Sequence, residues 1–167
     1  MLDCNEFVNA DEIAKGLSPF QPEKVSFEAG RIMLKRIDTL MEAKVDFAFE
    51  TTLSTRSYVN TIKKAREEGY TITLLYFWLN SAELAVERVR VRVSEGGHNI
   101  PENTIRRRYL RGLTNLTRLF IPLADLWMII DNSVSPFMLI AEGSQNSQKK
   151  IYQEVSWHQL NKISNEE

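Results

Sequence analysis

The stretch YTITLLYFWL, Tyr70–Leu79, decides the fold. It is β-branched and aromatic almost throughout and reads as a buried strand of the kind parallel sheets use. Gly69, just before it, has the character of a C′ residue closing a helix from about Ser57 to Glu68. Just after it, Asn80 with Glu83 three residues on resembles a capping box for a helix reaching about Ser94. The same alternation extends in both directions. Upstream, EFVNA (Glu6–Ala10) is extended and DEIAKGL (Asp11–Leu17) is a short helix that Gly16 can end. A longer helix runs from Pro22 to about Lys44, and VDFAFE (Val45–Glu50) is a strand stopping at Glu50. Downstream, Pro101 starts a helix to about Phe120, and LWMIIDNS (Leu126–Ser133) is a second buried strand. PFMLIAEG (Pro136–Gly143) is read as the last strand, followed by a polar linker, GSQNSQKK, and a closing helix within IYQEVSWHQL. The spacing predicts an α/β fold with a mainly parallel sheet over residues 1–143, and a tail over 144–167.

The totals narrow the function. The chain has 167 residues, 43% of them apolar and 26% charged, as in one globular domain. A formal charge of -1 argues against a general nucleic-acid binder. A single cysteine excludes an internal disulfide and a cysteine-based zinc site. No run approaches the roughly 20 apolar residues of a membrane helix, and MLDCNEF lacks the layout of a signal peptide. The expectation is a cytoplasmic protein with neither membrane nor nucleic acid as a partner.

In parallel sheets ligands bind beyond the carboxyl ends of the strands. Polar or acidic groups stand where the apolar runs stop: Asn9-Ala10-Asp11, Glu50-Thr51-Thr52 and Asp131-Asn132-Ser133. Each set alone has a plainer reading as a cap. Asp11 and Glu50 suit proton acceptance from a hydroxyl or a hydrated Mg²⁺. Arginines crowd around Gly96-Gly97: Arg88, Arg90 and Arg92 before it, and Arg106, Arg107, Arg108 and Arg111 after it. Arg88 and Arg92 share a helix face, as do Arg107 and Arg111. This is the pattern of a mobile flap over negative charge, arginine's planar fork being suited to phosphate. Its alternative is solvated faces paired with Glu87, Glu95 and Glu102. His98 suits contact with a phosphate and, as a loop histidine beside glycines, equally a structural role.

FVNADEIAKGLSPF (Phe7–Phe20), FAFETTLSTRSY (Phe47–Tyr58), GGHNIPENTIRRRYLRGLTNL (Gly96–Leu116) and DNS (Asp131–Ser133), taken in order, resemble the zeta-toxin-like group of P-loop kinases. The branch is the one often labelled a predicted ABC-type ATPase, and the likeness runs from about Asp3 to about Gly143. It implies a kinase-type P-loop NTPase, a three-layer sandwich with a five-stranded parallel core. It further implies γ-phosphoryl transfer from ATP (or GTP) with Mg²⁺ to a hydroxyl of a small molecule, in zeta toxins UDP-N-acetylglucosamine, with an antitoxin as partner. By resemblance Asp11 is the base that deprotonates the acceptor, and Glu50 contacts substrate or the Mg²⁺ shell. Arg88, Arg92 and Arg107 act on the transferring phosphate. Asn9, Thr51, Thr52 and Arg56 bind substrate; His98, Arg106, Arg108 and Arg111 belong to the lid; Asp131 and Asn132 face the nucleotide.

Such kinases begin with a strand and G-x-x-x-x-G-K-[ST], and no such motif occurs among the seven glycines here. Two origins account for this. One is a chain truncated at its N-terminus, without its first strand and phosphate cradle, and inactive in this form. The other is a degenerate relative that binds an antitoxin-like protein without catalysis. The persistence of Asp11, Glu50 and the arginines favours truncation.

Overall fold

The computed structural model describes residues 4–97, 99–145 and 147–165. The chain forms two compact units, Met1–Thr51 with Gly96–His98, and Thr52–Glu95 with Asn99–Glu167.

In the first unit, β1 (Glu6–Val8) pairs in parallel with β2 (Phe47–Phe49), Val8 standing opposite Phe49. A parallel pair needs a long crossover. Here it is α1 (Ala10–Leu17), a 3-10 turn at Pro22–Val25 and α2 (Ser26–Glu42). α2 buries Ala29, Met33, Ile37, Leu40 and Met41, one stripe at helical spacing. Gly16 does not end α1: the helix continues to Leu17, and the Ser18 N–H donates to the Ala14 carbonyl at 2.9 Å.

The second unit contains α3 (Ser57–Glu67), β3 (Thr73–Trp78), α4 (Ala82–Ser94), α5 (Glu102–Asn115), α6 (Ile121–Leu123) and β4 (Leu126–Asp131). It closes with β5 (Met138–Ser144), β6 (Ser147–Ile151) and α7 (Glu154–Asn165). The sheet order is β3-β4-β5-β6. β3 and β4 are parallel, whereas β5 and β6 run antiparallel. The fold is therefore α/β with parallel strand pairs, as expected, and its last two strands add antiparallel pairs to the second unit's sheet. The connections into β5 and β6 are too short for a crossover and permit only hairpins.

Two further readings change. Part of the polar linker is β6, an edge strand, where lysines are well tolerated because they discourage further pairing. Lys149 on it lies 5.0 Å over the ring of Trp157, which stacks on Trp127. The second change concerns Tyr70–Leu79. Among the described residues β3 pairs only with β4. Trp78 is buried in the core and Tyr76 packs against it, but Phe77, pointing the other way, is 55% exposed. An apolar run identifies a strand without saying whether one face or two are covered.

The core gathers Trp78, Leu113, Leu116, Phe120, Trp127, Ile129, Ile140 and Leu160. Leu160 places α7 on the core, not beyond it. The helical segment after α5 widens into a π turn at Leu116–Phe120. Pro122 supplies the reason: lacking an N–H and crowding the carbonyl four residues back, it is incompatible with an unbroken α-helix. No helix among the described residues is long and apolar enough to cross a membrane.

Candidate functional site

In the first unit the parallel pairing of β1 and β2 puts their carboxyl ends at one edge. Asn9, directly after β1, organises that edge. Its side-chain oxygen caps α1, accepting from the N–H groups of Asp11 at 2.8 Å and Glu12 at 3.3 Å. Its Nδ2 donates to Glu50 Oε2 at 3.0 Å. Asn9 therefore serves as cap and as bridge, tying Glu50 to the turn that carries Asp11. Both carboxylates are exposed. Thr51, half-buried, ends the first segment of the unit.

The second unit continues with the loop Thr52–Arg56. Leu53 has φ +56° and is 3% exposed. A left-handed leucine is unusual because its Cβ crowds the backbone, at a cost on the order of 1–3 kcal/mol. Two contacts from α5 hold it. Asn115, itself buried, donates its Nδ2 to the Leu53 carbonyl at 2.8 Å. At Gly112 a Cβ would stand 2.6 Å from the Thr52 carbonyl oxygen, so only glycine lets helix and loop approach this closely. The Thr52 and Ser54 hydroxyls are 2.9 Å apart and hydrogen-bonded, and those of Thr55 and Ser57 are 3.0 Å apart. Arg56 is exposed at the N-cap position of α3.

The arginines divide into two groups. Arg106 donates to both Glu83 and Glu102, and Arg90 donates to Glu102 at 3.0 Å, joining α4 to α5. The hydrogen bond from Arg106 is the leading cause holding each of the two carboxyls below the ordinary glutamate range. Arg106 is in turn raised by the same two partners. Arg88 donates to the Asn132 carbonyl, which puts it at the carboxyl edge of the β3–β4 pair. Arg92, Arg107, Arg108 and Arg111 are exposed and form no ion pair among the described residues. Arg108 lies one turn before Gly112, on the side of α5 that meets the Thr52 loop. His98 lies outside the described residues.

The flap expectation needs correcting for α5. Ile105, Gly112, Leu113 and Asn115 on it are buried, and Leu116 follows in the core, so the arginine-bearing face stands on an anchored helix. The capping expectation for α4 shifts by one residue: Ser81 is the N-cap, accepting from Leu84 N–H at 3.2 Å, and Asn80 N–H donates to Ser133 Oγ at 2.8 Å. Asp131 is buried and accepts from Ser133 N–H at 2.8 Å, closing the turn after β4. Tyr76 and Tyr109 line the interior side of this region. Burial pushes both hydroxyls up, that of Tyr109 to about 12, and Tyr109 donates to the Leu79 carbonyl at 2.9 Å.

Sequence reasoning missed Leu53, Ser54, Gly112 and Asn115. A signal existed for two of them. A glycine and an asparagine inside RRRYLRGLTNL are poor helix formers without a packing reason. Nothing in a leucine announces a left-handed backbone.

Comparison with known proteins follows the same residues. The family model described as zeta toxin matches residues 8–133, from the end of β1 through both arginine helices to the turn after β4. An uncharacterised protein of Haemophilus influenzae (strain ATCC 51907 / DSM 11121 / KW20 / Rd) is 31% identical over 102 residues, 61% of this chain and 73% of that protein. A solved chain from the PezAT chromosomal toxin-antitoxin system of Streptococcus pneumoniae shares the fold. Its TM-score is 0.58 at 13% identity, over 95% of this chain and 75% of that one. With well over half of its residues inside the family match, and the acid edge, hydroxyl loop and arginine helices all within it, the chain belongs to the zeta toxin family.

Proposed function

We propose that this chain serves phosphoryl transfer from ATP (or GTP) to a hydroxyl of a small molecule, a sugar nucleotide such as UDP-N-acetylglucosamine being the first candidate. The observation that carries the proposal is the Asn9 bridge, which ties Glu50 to the helix turn bearing Asp11. A pair of exposed carboxylates at the carboxyl edge of parallel strands suits a base and its partner. Asp11 takes the proton of the acceptor hydroxyl. Thr51, Thr52 and Arg56, with Asn9, hold the acceptor. Arg88, Arg92 and Arg107, with Arg108 and Arg111, supply the charge that a loose phosphoryl-transfer transition state needs. Arg106 takes part through its ion pairs, which keep α4 and α5 together. Asp131 and Asn132 contribute through the turn they close.

The donor chemistry fits Mg²⁺. Among the described residues no group of three or more His, Cys, Asp or Glu is placed to hold a metal. Mg²⁺ typically takes one or two carboxylates and completes its shell with water and phosphate oxygens. Glu50 would hold it, and it would neutralise phosphate charge. The nucleotide's phosphates find no G-x-x-x-x-G-K-[ST] in these 167 residues. The chain by itself is therefore expected to bind ATP weakly. That same absence favours a second reading, a non-catalytic module for an antitoxin-like protein.

The test is made on this chain and on the full product of its gene. Titration of the chain with Mg-ATP should show no tight binding, and micromolar affinity would overturn that part. The full product should phosphorylate a sugar nucleotide and lose about 10²-fold or more in rate on Asp11→Asn, the scale of a lost general base. Unchanged transfer in that variant would remove Asp11 from the role. Absence of transfer to any hydroxyl acceptor would leave the binding-module reading.

A further inference from the structure

We infer that Asn115 and Gly112 of α5 are positioning residues: together they force the Thr52–Ser54 turn into the one shape in which its hydroxyls meet a substrate. The role in substrate binding rests on the reading above; the clamp itself rests on geometry alone.

The argument starts from the strain. Leu53 has φ +56°, a region a bulky side chain avoids, and its side chain is buried in the core, so it cannot leave that conformation by rotating into solvent. Such backbone persists only where its surroundings over-determine it, and such places cluster at ligand sites. The surroundings here are two residues of one helix, three apart. Asn115 Nδ2 satisfies the Leu53 carbonyl at 2.8 Å, across 62 residues of sequence. Gly112 offers the Thr52 carbonyl a surface without a Cβ. One contact pulls the turn toward α5 and the other lets it arrive.

The consequence is local and chemical. With Leu53 turned inward, Thr52 and Ser54 on either side of it are brought together, and their hydroxyls stand 2.9 Å apart. The two form a paired donor–acceptor edge on the unit that also carries Arg108 and Arg111. An extended backbone at Leu53 would leave Thr52 and Ser54 on one face but about 6.6 Å apart along the chain, out of hydrogen-bond reach of each other. The left-handed residue is what makes two neighbours-but-one act as one group. A site that hydrogen-bonds a hydroxylated substrate gains from groups fixed in this way, since their geometry is set before the substrate arrives.

The test separates the clamp from general damage to α5. Asn115→Ala removes the donor and Gly112→Ala drives a Cβ into the Thr52 carbonyl. Thr117→Ala, on the next turn, removes a hydroxyl that bonds Ser164 at 3.2 Å and leaves the loop alone. Backbone order parameters for Leu53–Thr55 should fall from about 0.85 to below about 0.6 in the first two variants and stay near 0.85 in Thr117→Ala. Equal values in all three variants would overturn the clamp, and this readout stands whether or not the full protein transfers phosphate. Where transfer is observed, Asn115→Ala should raise the acceptor KM at least tenfold with the ATP KM unchanged. A fall in kcat alone, or an equal rise in both KM values, would overturn the positioning role.

Discussion

Both α4 and α5 display arginines on exposed faces, yet α4 buries only Val86 whereas α5 buries Ile105, Gly112, Leu113 and Asn115. α4 meets α5 through ion pairs in which every partner is substantially exposed. α5 is fixed by apolar packing and by its bond to Leu53. Exposed ion pairs are worth little and are screened by salt, whereas buried apolar contacts are worth about 1.5–3 kcal/mol per large side chain. The difference assigns the two helices different jobs. α5 is a platform that carries Arg107, Arg108 and Arg111 and meets the hydroxyl loop through Gly112 and Asn115. On the proposed function α4, held by Val86, by exposed ion pairs and by the bond from Arg88 to the Asn132 carbonyl, is the part that shifts when a phosphate binds.

The comparison can be broken most forcefully in the core. Leu113→Ala should cost about 2–5 kcal/mol, the range for a fully buried leucine that leaves a cavity. Val86→Ala removes two methyl groups and should cost about 1–2 kcal/mol. Denaturant midpoints read both, and equal losses would mean that α4 is anchored as firmly as α5.

A smaller effect sharpens the ion pairs. Arg106→Met should lower Tm less than either core variant, and the loss should shrink near 1 M salt, where the screening length is about 3 Å. The same pairs carry a pH signature. Glu83 and Glu102 are held below the ordinary glutamate range in the folded protein, so their contribution is present in full at neutral pH. It is lost as pH falls through and below that range, and Arg106→Met should flatten this part of the Tm profile. An identical profile in both proteins would show that the pairs do not matter in solution.

How much of this was legible in the sequence depended on the kind of force involved. The strands could be read because Tyr70–Leu79 and Leu126–Ser133 are apolar runs, and the helices because their apolar residues recur at helical spacing. Which neighbour a strand takes is a long-range matter: nothing within TLLYFW says that Phe77 faces away from the core, nor within SQKKI that it pairs with β5. The acids could be read too, because Asp11 and Glu50 stand where apolar runs end. The bridge between them could not, since it is made by Asn9 across 41 residues. Seven arginines looked equivalent in sequence. The ion pairs of Arg106 and Arg90 with Glu83 and Glu102 distinguish them only once α4 and α5 lie side by side.

Amide hydrogen exchange measured helix by helix tests the central claim most directly. Opening free energies range from near zero in loosely held elements up to the global value in core elements. On this account the α5 amides from Tyr109 to Asn115 exchange at the rate set by global unfolding, and the α4 amides from Glu87 to Ser94 exchange at least about tenfold faster. Equal protection of the two helices would contradict the division into a fixed platform and a movable arm.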